Sequence, residues 1–450
     1  MLCHDQNLDR RVVAQAVTLI ARGHAVRLLA LSHDGETHHE QTPEGIALTR
    51  IGLHFIIPEN PTYTGYMKRQ YRFNDVLNWG ANRHPKRLGI FQRLFNYASR
   101  LNWALYKALL LMRYRNRELH DPLPFRQAFV SHGQQFPSDV VQVHDLPALE
   151  AGAELAAAWG VPLVYDAHEL YPEQKSFSAV QRRICSKAEA EHIKKADLVF
   201  AVNESIGDEM ARRYQIAKPV TLLNAIDPLP DFDPAARYDL LREKLSLPAE
   251  RRILLFQGGF APHRNLETLI QAMAHVKTSD VDLVMMGFGA FGDLLKAKAI
   301  RLNLLGKRIH FLPAVPQSEL LQHSASADIG IIPYPHVDLN SYYCTPNKLF
   351  EFIQAGLPIL ANDSPELNRF VRANGFGHSA IMANAKQIAA AIDMAFAAGD
   401  FPKWRGAIVQ RRSEFAWSAQ DVIFWEAMRK VLERSGGASA IDLAQQAASI

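Results

Sequence analysis

Cysteine is scarce and scattered in this 450-residue chain: Cys3, Cys185 and Cys344 are far apart and odd in number. That pattern offers no metal-ligand spacing and fits a reducing compartment. Long apolar runs are also missing. The greasiest stretch, ALYKALLLM at 104–112, is far short of a membrane span and contains Lys107. The start, MLCHDQNLDRR, lacks the apolar segment of a secretory signal, so a cytoplasmic location is expected. The first strand begins at once, which leaves room for a native start upstream of Met1. Neither sign of charge dominates, with a net formal charge of +4. No short-period repeat is apparent. Global disorder is excluded by 48% hydrophobic and 21% charged residues. The length is too great for one ordinary core, so two domains are expected.

The charge that is present is uneven. Residues 61–120 carry twelve Lys and Arg against only Asp75 and Glu118, a local charge of +10. Aromatics such as Trp79, Tyr97 and Trp103 are interleaved with them. A basic, aromatic, helical insert over about 61–130 suits an anionic membrane surface, which would place the protein peripherally at the inner face of the cell membrane. Nucleic acid is the less expected partner. The alternative is a helical subdomain whose aromatics are simply its core.

The remainder alternates strands and helices. MLCH, AVRLLAL (25–31), DVVQVHD (139–145), VPLVYDAHE (161–169), ADLVFAVNE (196–204) and PVTLLNA (219–225) read as strands, with helices between them such as VVAQAVTLIAR (12–22). Residues 226–250, rich in Pro and charge, read as an interdomain linker. A second series follows: RRILLFQGG (251–259), DLVMMGFG (282–289), RIHFLPAV, ADIGIIPY (327–334) and LPILAND (357–363). The fold expected is α/β, with two Rossmann-like, doubly wound parallel sheets over 1–225 and 251–405. The tail, 435–450, is expected to be loose.

Ligands of open α/β sheets bind beyond the carboxyl ends of the strands. In the first half those ends supply Asp9, Arg10, His144, Asp145, His168 and Glu169. In the second they supply Gly258, Gly259, Arg264, Gly287 and the segment TPNKLFEFIQAGLPILA (345–361). There Thr345 is the expected N-cap, Pro346 the first helical residue and Gly356 the exit. Asn347, Glu351 and Gln354 share one polar stripe, which taken alone reads as a solvated face. Glycines for close approach, an Arg, Lys348 and a helix N-terminus suit a diphosphate.

The stretches VHDLPAL, VYDAHELYPE, FQGGFAPHRNLETLIQAM, LVMMGFG, IHFLPAVPQSELLQHSASADIGIIPY and PNKLFEFIQAGLPILA, in this order, resemble the retaining GT-B glycosyltransferases of the glycosyl transferases group 1 family. The resemblance covers nearly the whole chain apart from the insert and tail. It implies two domains facing across a cleft, with a helical segment at 406–434 packing back on the first. It also implies that Glu351 holds the nucleotide ribose, that Arg264 clamps the donor diphosphate, and that Gly258, Gly259 and Gly287 admit the nucleotide. Val315 would lie beside the base, Asn347 and Lys348 near the phosphates, and His144 against the transferred sugar, with His144, Arg264 and Glu351 as the catalytic set. Asp9, Arg10, His168 and Glu169 become candidates for the acceptor side or its supports.

The implied reaction is metal-independent hexosyl transfer with retention, from a nucleotide-diphosphate sugar to a lipid-linked or polysaccharide acceptor, with no other cofactor. Asp231 and Asp233 look like a metal-binding DxD but fall in the linker. One departure stands out: the family often has a glutamate eight positions before Glu351, and here that position is Tyr343. This keeps two rivals in view, a sugar-nucleotide epimerase on a similar scaffold and a retired domain that only binds or assembles.

Overall fold

Short aliphatic runs bounded by Gly, Pro or Asp become the strands of two sheets in the computed structural model, which describes residues 1–53, 61–84, 88–114, 122–175, 177, 179–236 and 238–435. The first sheet holds β1 (Leu2–Cys3), β2 (Arg27–Leu31), β3 (His38–Gln41), β4 (Ala47–Ile51), β5 (Val141–His144), β6 (Leu163–Ala167), β7 (Leu198–Ala201) and β8 (Val220–Thr221). Their order is β3-β4-β2-β1-β5-β6-β7-β8. The second holds β9 (Arg252–Gly259), β10 (Val281–Phe288), β11 (Ile309–Pro313), β12 (Ile329–Ile332), β13 (Ile359–Asn362) and β14 (Gly377–Ala380), in the order β11-β10-β9-β12-β13-β14. The chain reverses its direction of winding between β1 and β5, and again between β9 and β12. Those two points are where a doubly wound sheet opens a crevice.

The helices are α1 (Arg10–Ile20), α2 (Pro61–Arg83), α3 (Leu88–Tyr114), α4 (Arg126–Gly133), α5 (Leu146–Trp159), α6 (Ala179–His192), α7 (Glu204–Tyr214), α8 (Leu240–Leu245) and α9 (Leu266–Ala272). After them come α10 (Gly292–Arg301), α11 (Leu320–Ala325), α12 (Leu339–Tyr343), α13 (Asn347–Gln354), α14 (Pro365–Leu367), α15 (Ala385–Ala397), α16 (Phe401–Arg411) and α17 (Trp417–Ser435).

Three sequence expectations are corrected here. The first sheet is not purely parallel, because β3 pairs antiparallel with β4. All four residues of β3, HHEQ, are exposed, so no apolar alternation marked it. The helical insert is shorter than 61–130: Leu123, Phe125, Phe129 and Val130 are buried in the first domain's core. The segment 226–250 is not a free linker, since Phe232 and Leu241 belong to the second domain's core. β14 also escaped notice. Gly377 lets it lie close to β13, for a Cβ there would meet the Ile359 carbonyl oxygen at 1.9 Å.

The chain crosses between domains twice, each time within a few residues. Leu222 packs in the first domain and Ala225 in the second; Phe415 packs in the second and Trp417 in the first. The Leu223 amide donates to Gln420 Oε1 (2.9 Å), and the Ser418 amide to Asp227 Oδ1 (2.8 Å), tying the crossings side by side. α17 then lies on the first sheet, where Phe424 is fully buried against Phe200 at a ring separation of 5.5 Å. Burial of one such ring contributes about 1.5–3 kcal/mol.

Candidate functional site

A cavity of about 660 Å³ opens at the carboxyl ends of β9 and β12, with the loop after β6 forming its far wall. α13 supplies one side. Pro346, not Thr345, is its N-cap residue, with extended backbone (φ −68°, ψ 147°), while Thr345 Oγ1 accepts a bond from Asn203 Nδ2 (3.2 Å) across the domains. Gly356 leaves the helix at φ +67°. Leu349, Phe350, Phe352 and Ile353 are fully buried. Of the polar stripe only Asn347 is exposed, whereas Glu351 and Gln354 are buried. Gln354 donates to the Arg412 and Phe415 carbonyls and is structural. Glu351 faces the cavity.

Glu351 is held before any ligand arrives. Gln257 Nε2 donates to its Oε2 (2.7 Å), and Ser324 Oγ donates to Gln257 Oε1 (2.6 Å). Its Oε1 receives Arg10 Nη2 from the first domain at 2.8 Å. Two cations stand near this carboxylate. Lys348 is buried, donates to Tyr334 Oη at 2.5 Å, and lies 4.5 Å above the Tyr334 ring and 4.7 Å above that of Phe256. One hydrogen bond and two π faces support the ammonium and leave donors for an anion.

Arg264 sits 5.7 Å over the same Tyr334 ring, between His263 (φ +65°) and Asn265 (φ +62°). Two left-handed residues in a row of three are unusual, and Asn265 pins the loop by donating to the Pro333 and Met382 carbonyls. Gly258 has φ +115°, and a Cβ there would lie 3.5 Å from Lys348 Nζ; one on Gly259 would lie 3.4 Å from Arg264 Nη1. A methyl group at either position would lie in van der Waals contact with a cation.

Opposite, Glu169 lines the cavity, with Gln174 Nε2 donating to its Oε1 (2.5 Å) and Asn340 Nδ2 to its Oε2 (2.7 Å). Burial raises its pKa. Of the residues singled out in the sequence, Gly258, Gly259, Arg264, Asn347, Lys348, Glu351 and Glu169 line the cavity. Gly287 and Val315 do not. Gly287 serves the contact between strands, where a Cβ would meet the Gly258 carbonyl oxygen at 1.9 Å, and Val315 packs against the second core. Asp9 is the N-cap of α1, accepting from the Arg11 amide (2.7 Å). Arg10 reaches the site only through Glu351. Tyr343 turns its ring to the first domain's core, and its carbonyl accepts from Asn203 (2.8 Å).

His144 and His168 are also off the cavity lining, in a charged network beside it. Asp166 is fully buried and accepts from Arg11 Nε (2.9 Å) and Nη2, from Gln15 (2.6 Å) and from His168 Nε2 (3.2 Å). Burial alone would raise its pKa, but Arg11 and His168 hold it well below the carboxylate range. Burial works against the charge on His168 as well, yet the Asp145 and Asp166 carboxylates hold it up to about 9. Burial pushes His144 down to about 4. Asp145, raised by burial, carries a left-handed backbone (φ 60°) and accepts from the His168 amide (2.9 Å).

Among the described residues, His144, Asp166 and His168 are the one group whose ligand atoms converge enough for a metal ion, all within 4.8 Å. The Arg11 guanidinium already occupies both oxygens of Asp166, so the group fits a proton network better than a second cation.

Gln257, Tyr334, Asn340, Arg11 and Asp166 escaped the sequence reading. Gln257 and Asp166 carried a signal, since each is a lone polar residue inside a buried strand run. Tyr334 carried one as well, at the end of ADIGIIPY.

Residues 8–224 match the family described as Glycosyl transferase 4-like domain, and residues 251–397 match Glycosyl transferases group 1. This chain belongs to the group 1 glycosyltransferases, with the GT-B fold. The D-inositol 3-phosphate glycosyltransferase of Streptosporangium roseum is 25% identical over 305 residues, which is 62% of this chain and 67% of that protein. The enzyme of the same name from Streptomyces bingchenggensis is 29% identical over 268 residues, 54% of this chain and 55% of that one. The chain thus spans about half to two thirds of the length of these curated relatives. Sucrose-phosphate synthase from Thermosynechococcus elongatus shares the fold at a TM-score of 0.65 and 17% identity, covering 96% of this chain and 98% of that one. HepE from Anabaena, solved with UDP, does so at a TM-score of 0.55 and 18% identity, covering 72% and 89%. The cavity lies at the strand ends of the domain that matches Glycosyl transferases group 1, and the first domain meets it through Asn203, Glu169 and Arg10. Among the described residues no helix is long and apolar enough to cross a membrane.

Proposed function

We propose that the chain transfers a hexosyl unit from a nucleotide-diphosphate sugar, with retention, to a lipid-linked or polysaccharide acceptor at the inner face of the cell membrane. The observation that carries this reading is the meeting of Arg264, Lys348 and the α13 N-terminus beside the two glycines, with the preset Glu351 next to them. The cations and the helix end take the diphosphate, and Glu351 accepts the ribose hydroxyls once Arg10 yields. As the sugar–phosphate bond breaks, charge grows on the departing phosphate oxygen, where both cations stabilise it without a metal. That oxygen then receives the proton of the acceptor hydroxyl attacking from the same face. Glu169, fixed by Gln174 and Asn340, orients hydroxyls at the acceptor side. His144 and His168 act through that wall as positioning residues.

The donor is expected to be a uridine diphosphate sugar, since HepE was solved with UDP and with UDP-glucose. The test is thermal melting with UDP, GDP and ADP. The fitting nucleotide at a hundred times its Kd stabilises the chain by about 2.7 kcal/mol, and Glu351→Ala abolishes most of that shift. No shift with any of them refutes the site. Donor turnover then decides the chemistry, with an acceptor panel that includes lipid extract and inositol 3-phosphate. An epimerase would interconvert sugar nucleotides without acceptor, and a retired domain would bind without turnover.

A further inference from the structure

The acid-poor hairpin of α2 and α3 separates its apolar residues into two sets. One set closes the hairpin: Tyr66 meets Tyr106 at 4.8 Å, Arg69 Nε donates to Asn102 Oδ1 at 2.7 Å, and Phe91 fills the space beside Gly80. The other faces outward on α3. Ile90, Leu94, Tyr97, Leu101, Leu105 and Met112 are 45–71% exposed. Their spacing of three, four and seven residues keeps them on one side of the helix. The stripe runs about 33 Å at 1.5 Å per residue.

Arg93, Arg100 and Lys107, all exposed, recur every seventh residue along one edge of this stripe. α3 contains no Asp or Glu at all. α2 adds exposed Val76 and Trp79 and has Asp75 as its one acidic residue.

We infer that α3 lies flat in the interface of an anionic lipid bilayer, with its apolar stripe among the acyl chains and the Arg93–Arg100–Lys107 row at the headgroups. The inference rests on the membrane-side location proposed above but not on the sugar chemistry. Charge selects the occupant. A second copy of the helix would set this basic row against an equally basic or neutral edge, with no carboxylate on α3 to pair it. An anionic surface pairs the whole row, and each residue near it contributes about fivefold to partitioning. The helix has the length and the sidedness of an interfacial segment and too many basic residues for a spanning one.

α2 also packs against α10 of the second domain. The hairpin, which belongs to the first domain, therefore also reaches the second.

The experiment is sedimentation of the full chain with vesicles of phosphatidylcholine alone or with phosphatidylglycerol. Binding to the anionic vesicles only, weakening with salt, is expected. The triple variant Arg93→Gln, Arg100→Gln, Lys107→Gln should lose about a hundredfold in partitioning. Leu94→Asp with Leu101→Asp should lose at least about tenfold, since two apolar contacts become charges. Both variants change only exposed side chains and should keep the wild-type melting temperature and nucleotide shift. Several results overturn the inference: no vesicle binding by the wild type, binding unchanged in both variants, preference for single-stranded RNA over vesicles, or a dimer in solution that Leu101→Asp dissociates. Vesicle binding without a nucleotide shift would leave this inference standing and refute the site instead.

Discussion

The two domains present their charge in opposite ways. In the second, Arg264 and Lys348 are propped on the Tyr334 ring with free donors turned to a cavity. In the first, Arg11 is fully buried and spends its donors on Asp166 and the Leu222 carbonyl. One arrangement leaves cations incompletely satisfied so that a ligand can complete them. The other satisfies a cation fully and thereby fixes the strand end, the first interdomain crossing and α1 to one another. The same residue type is a binding group in one domain and a structural bolt in the other, and burial with its partners decides which.

Breaking the bolt should have the larger effect. Arg11→Met leaves the Asp166 charge buried without its main partner, and a loss of about 3–5 kcal/mol in urea unfolding is expected. The double variant Arg11→Met, Asp166→Leu should recover a good part of that loss, because an apolar pair of similar volume removes the stranded charge. If the double variant is no more stable than the single one, the pair does more than neutralise itself.

Arg264→Ala should act the other way round. Stability should hardly change, while turnover falls about 10–150-fold, the worth of a charge-assisted contact of roughly 1.5–3 kcal/mol. Affinity for a bare nucleoside should stay within about twofold. Equal losses for nucleoside and nucleotide sugar would erase the contrast between the domains.

The last effect expected is a pH dependence led by two histidines of the first domain. His168, held up to about 9, binds its proton more tightly folded than unfolded, so its contribution is complete below the ordinary histidine value near 6.5 and is lost as pH rises toward 9. His144, pushed down to about 4, does the reverse: the unfolded chain binds its proton first, and stability falls as pH drops from about 6.5 toward 4. The melting temperature should peak near neutral pH. His144→Gln should make the acid-side fall shallower and leave the alkaline side alone.

The contrast also explains what could be read in advance. In the second domain the strand-end rule set the glycines beside the 345–351 segment, while the family resemblance, not the polar stripe, gave Glu351 its expected role. Arg11 and Asp166 are 155 residues apart, and no local pattern joins them. His144 sat at the expected strand end, but alternation along a strand does not say whether an end residue turns outward or under the loop. Tyr334 was passed over because an aromatic after a strand reads as core until two cations are seen above it. β3 was missed because its exposed, polar residues carry no apolar period.

The paired crossings have a mechanical consequence. A domain hung on a single thread can swivel about it freely. Here two strands leave the first domain within a few residues of each other and are clipped together by the Leu223–Gln420 and Ser418–Asp227 bonds. Torsion between the domains would have to shear those bonds, whereas bending about the line through both strands need not. The joint therefore behaves as a door hinge with one easy axis, and the cleft can widen to exchange ligands and return to the same registration of Glu169 with Asn340 and of Asn203 with Thr345.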